Sequence, residues 1–253
     1  MPIRVGVLAS NDHPSSRSSG DAWRAQGVQP RRLGAGAGGV RPNSRLSEEQ
    51  IDSLMEDRRS ALLRVLGARM DIANLLNERE PGNLRSLQTV ATEDRARHYF
   101  DSASDGTLKT VDAHLGDLER YLRDPGTQGG GKYDYRPFTP YEEELQRQNL
   151  ADGNRGFAAL HSSAAPNTVG VNYPAYIRDP GAYRLETQIH EWLHAAGFSQ
   201  KAKELYGDEA VERAKRPGGT AWAINQNPEN AAMFVVRREP AFKPMPRWSP
   251  SSP

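Results

Sequence analysis

Residues 187–194 read Thr187-Gln188-Ile189-His190-Glu191-Trp192-Leu193-His194, and this stretch decides the fold and the function that the sequence predicts. Apolar residues recur here at the spacing of one helix face, so we expect a helix that begins after Pro180-Gly181. On that helix His190 and His194 project from the same face, one turn apart. Their imidazole nitrogens can therefore bind one zinc ion, at about 2 Å each.

Glu191 follows the first histidine and lies beside the pair on the predicted helix. A carboxylate at this place can take a proton from a zinc-bound water, whose pKa the metal lowers towards about 7. The sequence thus predicts a zinc hydrolase of the His-Glu-x-x-His type. In it Zn²⁺ is bound by His190 and His194, and Glu191 is the general base.

The third metal ligand is not decided by this helix. A catalytic zinc site has three protein ligands and one open position, so one more ligand must come from downstream. Cysteine is absent from the chain, which leaves oxygen and imidazole ligands. Downstream carboxylates that qualify by their chemistry are Glu204, Asp208, Glu209, Glu212 and Glu229.

Composition divides the 253 residues into three parts. Residues 1–45 are rich in serine, arginine and glycine, and such a segment buries too little apolar surface to offset its ordering entropy. We therefore expect a disordered leader at 1–45 and, because of its prolines, a disordered tail at 240–253. Residues 46–239 form the expected folded domain.

Helical spacing dominates the first half of this domain. A capping box at Ser47–Gln50 begins a helix that runs towards Pro81-Gly82. Two further helical stretches contain Leu87 to Phe100 and Leu108 to Leu122. We expect these helices to supply the core and no chemistry of their own.

The segment before the active-site helix predicts a long loop and then two strands. The loop contains the Gly129–Gly131 run and extends through Pro137 and Pro140. Residues 156–161 and 168–173 read as strands joined by a turn at Pro166-Asn167. We therefore predict an α+β fold, mainly helical, with a small antiparallel sheet packed on the active-site helix.

Charge and hydropathy argue against several classes of partner. The 33 basic and 32 acidic side chains leave a net charge of +1, so no global field favours nucleic acid. No apolar run reaches the length of about 18 residues that a membrane span requires. The N-terminus does not read as a Sec-type signal peptide. We expect a monomer that binds a protein or peptide substrate.

The residues around the paired histidines resemble the aspzincins, in particular the lysine-specific metalloendopeptidase (deuterolysin-like) domain. Residues 187–194 look like the active-site helix of that family, and Tyr206-Gly207 falls where its Gly-Thr-x-Asp-x-x-Tyr-Gly motif ends. Residues 227–234, Asn-Pro-Glu-Asn-Ala-Ala-Met-Phe, are similar to the family's Asn-Ala-Asp-Asn-Tyr-x-x-Phe segment. The resemblance covers roughly residues 46–238 and is strongest over 185–234.

This resemblance implies a zincin-like fold and a zinc endopeptidase whose general base is Glu191. It implies that Tyr206 hydrogen-bonds the oxyanion of the tetrahedral intermediate. It places Glu229 at the primed-side pocket, where an acid favours a basic substrate side chain. It also makes the strand at 168–173 the edge with which an extended substrate pairs.

Lys203 departs from the family pattern. It stands three residues before Tyr206, where the family has its metal-binding aspartate, and an ammonium group has no lone pair for a metal. Three explanations stay open: Glu204 is the ligand, Glu229 reaches the metal, or the metal is weakly held. The lysine is also compatible with a second hypothesis, that the chain is a degenerate relative that binds without catalysis. The active-site helix alone is compatible with a third, that the chain is another zinc hydrolase, such as an amidase.

The absence of cysteine differs from the disulfide-bonded secreted fungal members of the family. In this respect the chain is similar to cysteine-poor bacterial zinc peptidases that are injected into host cells. Together with the expected leader, this similarity predicts a secreted effector or toxin that acts on host proteins. We expect a specialised secretion system to deliver it.

Overall fold

Helices form most of the chain that the structure describes. The computed structural model describes residues 45–123, 134–151, 158–162, 165–198 and 204–237. These residues form the helices α1 (Glu48–Glu78), α2 (Leu87–Phe100), α3 (Asp105–Arg123), α4 (Pro140–Ala151), α5 (Tyr173–Tyr176), α6 (Gly181–Ala195), α7 (Gly207–Ala214), α8 (Gly219–Asn225) and α9 (Pro228–Val236). They also form the strands β1 (Asp134–Pro137), β2 (Ala159–Ser162) and β3 (Ala165–Val171). The fold is thus α+β and mainly helical, as predicted.

The ends of the chain stay predictions. The leader expected at 1–45, except for Arg45, and the tail expected at 240–253 lie outside the described residues. Within the described ranges, no helix is both long enough and apolar enough to cross a membrane.

The long helices α1, α2 and α3 lie where the sequence predicts them. Ser47 caps α1: its side chain accepts a hydrogen bond from Gln50 N, and the Gln50 side chain accepts one from Ser47 N. This capping box satisfies two backbone N–H groups that have no partner inside the helix. Because α1 packs against α2, α3 and α6, its residues Leu54 and Ile72 are completely buried.

The sheet is mixed, so the prediction of an antiparallel sheet was wrong. Its strand order is β1-β3-β2, with β1 parallel and β2 antiparallel to β3. Strand β1 lies in the segment where the sequence predicts a loop, which is why its pairing was missed. The chain passes through α4 and β2 before it returns as β3, and a parallel pair of strands needs a crossover of this kind.

The prolines that predict a loop occupy positions that regular structure tolerates. Pro137 ends β1 and Pro140 is the first residue of α4. Arg136 donates to both carboxylate oxygens of Glu142, at 2.5 and 2.7 Å, and Thr139 N donates to the same carboxylate. This charge-assisted pair fixes β1 to α4.

The two predicted strands form an antiparallel pair, but their details differ from the prediction. β3 begins at Ala165, so Pro166 and Asn167 lie inside the strand and not in a turn. β3 is also the middle strand, with β1 on one side and β2 on the other. The prediction that residues 168–173 form a free edge for substrate was therefore wrong, because β2 is the edge strand on that side.

Helix α6 packs against α9, α1 and β2, so its orientation is set from several sides. Ile189 and Trp192 are completely buried. Trp192 Nε1 donates to Gln188 Oε1 at 3.0 Å, and the Tyr135 hydroxyl of β1 donates to the same oxygen at 2.8 Å. The burial of Ile189 and Trp192 and the hydrogen bond from Tyr135 fix the rotation of α6 about its axis, and with it the direction in which the histidines project.

Candidate metal centre

His190 and His194 lie on one face of α6, as the sequence predicts. Both side chains are buried, and their Nε2 atoms lie 3.3 Å apart. The rings meet edge to face, with centroids 5.0 Å apart. Two nitrogen donors therefore converge on one point beside the helix.

The helix ends at Ala195, one residue after His194. Gly197 has a φ of +104°, its N–H donates to His194 O, and Phe198 N–H donates to Leu193 O. This pair of hydrogen bonds is the Schellman motif, which uses a glycine in the left-handed region to close a helix. The backbone therefore leaves the helix axis at Gly197, within one turn of the second histidine.

Glu204 supplies a third donor group. Its Oε1 lies 3.2 Å from His194 Nε2, and its Oε2 lies 3.5 Å from His190 Nε2. Burial opposes ionisation of this carboxyl, but the hydrogen bonds with the two histidines outweigh burial and hold the pKa of Glu204 well below its usual range. The carboxylate is therefore ionised at neutral pH and faces both imidazoles.

The three groups are close enough together to bind one metal ion. One donor atom from each of His190, His194 and Glu204 lies within 4.8 Å of the others. Two ligands of a tetrahedral zinc with bonds of 2.0–2.1 Å lie about 3.4 Å apart. The Nε2 atoms of the two histidines, 3.3 Å apart, are close to that value, and each faces one oxygen of the Glu204 carboxylate, at 3.5 Å for His190 and 3.2 Å for His194, so these residues fit a divalent metal ion.

The other candidates for the third ligand do not join this group in the described part of the chain. Asp208 and Glu209 lie in the exposed first turn of α7. Glu212 pairs with Lys215 at the surface. Lys203, which stands at the family's ligand position, lies outside the described residues.

Glu191 is buried beside the histidines, at the N-terminal side of His194 on α6. Its Oε2 accepts a hydrogen bond from the backbone N–H of His161 in β2, at 2.6 Å. Burial raises the pKa of Glu191, although the charges of His190 and His194 oppose that shift. The carboxylate is thus held between the helix and the edge strand.

Tyr206 adjoins the three donor groups. Its ring stacks on the His190 ring, with centroids 5.5 Å apart and an angle of 20° between the planes. Its hydroxyl donates to Glu204 Oε2 at 3.0 Å. Tyr206 is 52% exposed, but desolvation around its hydroxyl and the nearby carboxylates of Glu204 and Glu191 raise its pKa well above the ordinary value, so the hydroxyl keeps its proton.

Glu229 lies on the other side of His190, in the first turn of α9. Its Oε2 is 3.3 Å from His190 Nδ1, and its Oε1 accepts a hydrogen bond from Gly207 N at 3.0 Å. Burial opposes ionisation, but His190 and the Gly207 N–H hold the pKa of Glu229 below its usual value. Its expected contact with a basic substrate side chain is not tested by these contacts and stays a prediction.

Asn227 and His161 are site neighbours to which the sequence assigned no role. Asn227 is completely buried; its Oδ1 accepts from Leu205 N at 3.3 Å and its Nδ2 donates to Leu205 O at 3.1 Å. It thereby fixes the backbone between Glu204 and Tyr206. An asparagine directly before a helix ordinarily predicts an N-cap, so the sequence gives no sign of this contact with Leu205. The His161 ring lies nearly parallel to the His194 ring, with centroids 6.3 Å apart.

No protein-family model matches the chain, no curated protein matches it, and no solved structure matches it. The resemblance to zinc peptidases therefore depends on the residues of the motif and its neighbours alone. The reaction has to be inferred from the geometry of the site.

Proposed function

We propose that this chain is a zinc-dependent peptidase with a zincin-like active site. One observation carries the proposal: His190 Nε2, His194 Nε2 and the Glu204 carboxylate converge at 3.2–3.5 Å, and the buried carboxylate of Glu191 adjoins them. We assign Glu204 as the third ligand. Lys203 is then the residue before the ligand, and the metal site does not lack a third ligand.

The donor set supports zinc as the metal. Two imidazoles and one carboxylate are a ligand set of catalytic zinc sites, which leave a fourth position open. A zinc ion held there lowers the pKa of a water molecule towards about 7 and polarises a substrate carbonyl. The protein groups around this position then have to move a proton and stabilise an oxyanion.

Glu191 is the proton carrier in this proposal. Its raised pKa makes the carboxylate a stronger base towards water than an ordinary glutamate, and the same group can return the proton to the leaving amine. The hydrogen bond from His161 N holds one of its oxygens in place. Orientation of this kind lowers the entropy cost of proton transfer.

Tyr206 is the oxyanion donor in this proposal. A hydroxyl that keeps its proton can donate a hydrogen bond to developing negative charge, and a preorganised donor of this type contributes about 3–4 kcal/mol. Stacking on His190 keeps the tyrosine ring beside the donor groups. Binding of substrate would exchange the hydroxyl's present acceptor, Glu204 Oε2, for the substrate oxygen.

We propose that an extended peptide lies along β2. This strand is at the edge of the sheet, contacts α6 and brings His161 N to Glu191. A strand at the edge of a sheet can bind an extended chain through backbone hydrogen bonds. The substrate edge predicted at 168–173 thus moves to the neighbouring strand, and protein or peptide remains the proposed substrate class.

The test combines metal analysis with cleavage of a denatured protein mixture. Wild-type protein should contain about one zinc per chain after purification and should cleave the mixture. Glu191→Gln should retain zinc and lose cleavage, whereas His190→Ala should lose both. Glu212→Gln, an exposed glutamate on α7, is the control and should keep both.

Other results of these measurements would favour other functions. Zinc retained without peptide cleavage by wild type would favour a binding protein that has lost catalysis, and turnover of small amides alone would favour an amidase. Absence of zinc together with equal cleavage by wild type and Glu191→Gln would overturn the proposal. Secretion and delivery into host cells stay predictions.

A further inference from the structure

His190 has two different nitrogen environments. Its Nε2 faces His194 and Glu204, and its Nδ1 faces Glu229 Oε2 at 3.3 Å. A neutral imidazole has one N–H, and an ionised carboxylate can only accept a hydrogen bond. Nε2 also faces a carboxylate, that of Glu204, so the metal-free ring can donate from both nitrogens. When a metal takes the lone pair of Nε2, the remaining proton belongs on Nδ1, where Glu229 Oε2 accepts it.

The second oxygen of Glu229 holds the loop that contains Glu204. Gly207 N donates to Glu229 Oε1 at 3.0 Å, and Gly207 has a φ of +53°, in the left-handed region that favours glycine. Gly207 follows Tyr206 directly. One carboxylate thus connects the imidazole of α6 with the start of α7, just after Glu204 and Tyr206.

Glu229 is poorly placed for a substrate side chain. Its side chain is 8% exposed, and both of its oxygens already have partners. A lysine of a substrate would have to displace the contacts with His190 and Gly207.

We infer that Glu229 is a positioning residue: it orients His190 through Nδ1 and fixes the Glu204 loop through Gly207 N, and it does not select a basic substrate side chain. This inference rests on the proposed metal site. Carboxylates that hydrogen-bond the outer nitrogen of a metal-bound histidine fix the ring and its tautomer, and their loss costs about 10–100-fold in metal affinity.

Glu229→Gln separates the two roles. Glutamine has NH₂ in place of one carboxylate oxygen, and because His190 and Gly207 each donate to a different oxygen of Glu229, one of the two contacts is lost. Affinity for Zn²⁺ and for Co²⁺, measured by competition with a chromophoric chelator, should fall about 10–100-fold. The ratio of cleavage before lysine to cleavage before uncharged residues should not change.

Glu142→Gln is the matched control. Glu142 is another buried glutamate with two partners, on α4, and its side chain is 6% exposed. Both metal-free variants should unfold at lower temperature than the wild type, but only Glu229→Gln should lose metal affinity. A merely structural role of Glu229 would lower the unfolding temperature and leave the affinity of the folded protein unchanged.

The wild-type protein provides an independent measurement. With ¹⁵N-labelled histidine and bound Zn²⁺, the His190 ring should show a proton on Nδ1 and a metal-bound Nε2. Zinc bound to Nδ1 would overturn the inference. A Zn²⁺ affinity of Glu229→Gln within about twofold of the wild-type affinity would also overturn it. Unchanged affinity with a shift away from cleavage before lysine would assign Glu229 to the substrate pocket instead. If the wild type binds neither metal, the proposed function itself fails.

Discussion

Glu204 Oε1 lies 3.2 Å from His194 Nε2, although the helix that contains His194 ends before the chain reaches Glu204. This contact places a carboxylate opposite two imidazoles at the distance of neighbouring zinc ligands. A lysine at position 203 is thus compatible with the proposed metal site, because the adjacent residue can supply the oxygen.

Removal of the Glu204 carboxylate should weaken zinc binding more than removal of any neighbouring acid. We expect Glu204→Gln to raise the Kd for Zn²⁺ by more than about 100-fold, beyond the cost of losing a second-layer partner. Asp208→Asn, on the exposed first turn of α7, is the control and should bind zinc like wild type. Equal affinities of the two variants would exclude Glu204 as a ligand.

Tyr206→Phe should retain zinc but lower kcat by about 10²–10³-fold, because loss of an oxyanion donor affects the transition state. Steady-state kinetics on a peptide substrate, with zinc content measured on the same samples, check this expectation. Tyr141→Phe alters an exposed tyrosine on α4 and should leave kcat unchanged. A rise in KM without a fall in kcat would instead indicate that Tyr206 binds the ground state.

Zinc affinity should rise with pH. Burial lowers the pKa of His190, but Glu204 and Glu229 outweigh burial and raise this pKa well above its ordinary value in the metal-free protein. A proton and the metal compete for His190 Nε2, so affinity should fall about tenfold for each pH unit below that pKa. Competition titrations from about pH 5 to 8 measure the slope. A flat profile would show that His190 carries no competing proton.

Asn227→Ala should loosen the Glu204 loop. It removes two hydrogen bonds to the Leu205 backbone inside a buried region, which should cost about 1–3 kcal/mol in the free energy of unfolding. Urea denaturation and zinc titration should show both lower stability and lower affinity. Asn225→Ala changes an exposed asparagine at the end of α8 and should stay within about 0.5 kcal/mol of wild type. Lower stability with normal zinc affinity would separate Asn227 from the metal site.

Gly219→Ala should destabilise the packing of α8 on α7. A Cβ at Gly219 would lie 2.2 Å from Ala214 O and 2.3 Å from Arg213 O, so the backbone would have to shift. We expect a loss of about 1–3 kcal/mol in the free energy of unfolding. Gly106→Ala, in α3, meets no atom closer than 4.0 Å and should be neutral or stabilising by up to about 1 kcal/mol. Equal stabilities of the two variants would contradict the packing.

Much of the fold was predictable because it depends on neighbours in the chain. The capping box of Ser47 and the apolar spacing of α1 to α3 and α6 are local patterns, and the structure confirms them. The mixed sheet was not predictable in this way. Pro137 and Pro140 read as loop residues, and only the pairing of β1 with β3 and the contact of Arg136 with Glu142 show where they lie.

Part of the candidate site was likewise predictable from neighbours in the chain, and part was not. The sequence by itself determined that His190 and His194 share one helix face, with Glu191 beside them, since a spacing of four residues is about one helical turn. Only the tertiary structure decided which carboxylate joins them, because the position of Glu204 depends on Asn227 and α9. It also placed Glu229 behind His190, where two elements far apart in the chain meet. Local geometry follows from spacing along the chain, whereas a third donor follows from how helices and loops pack.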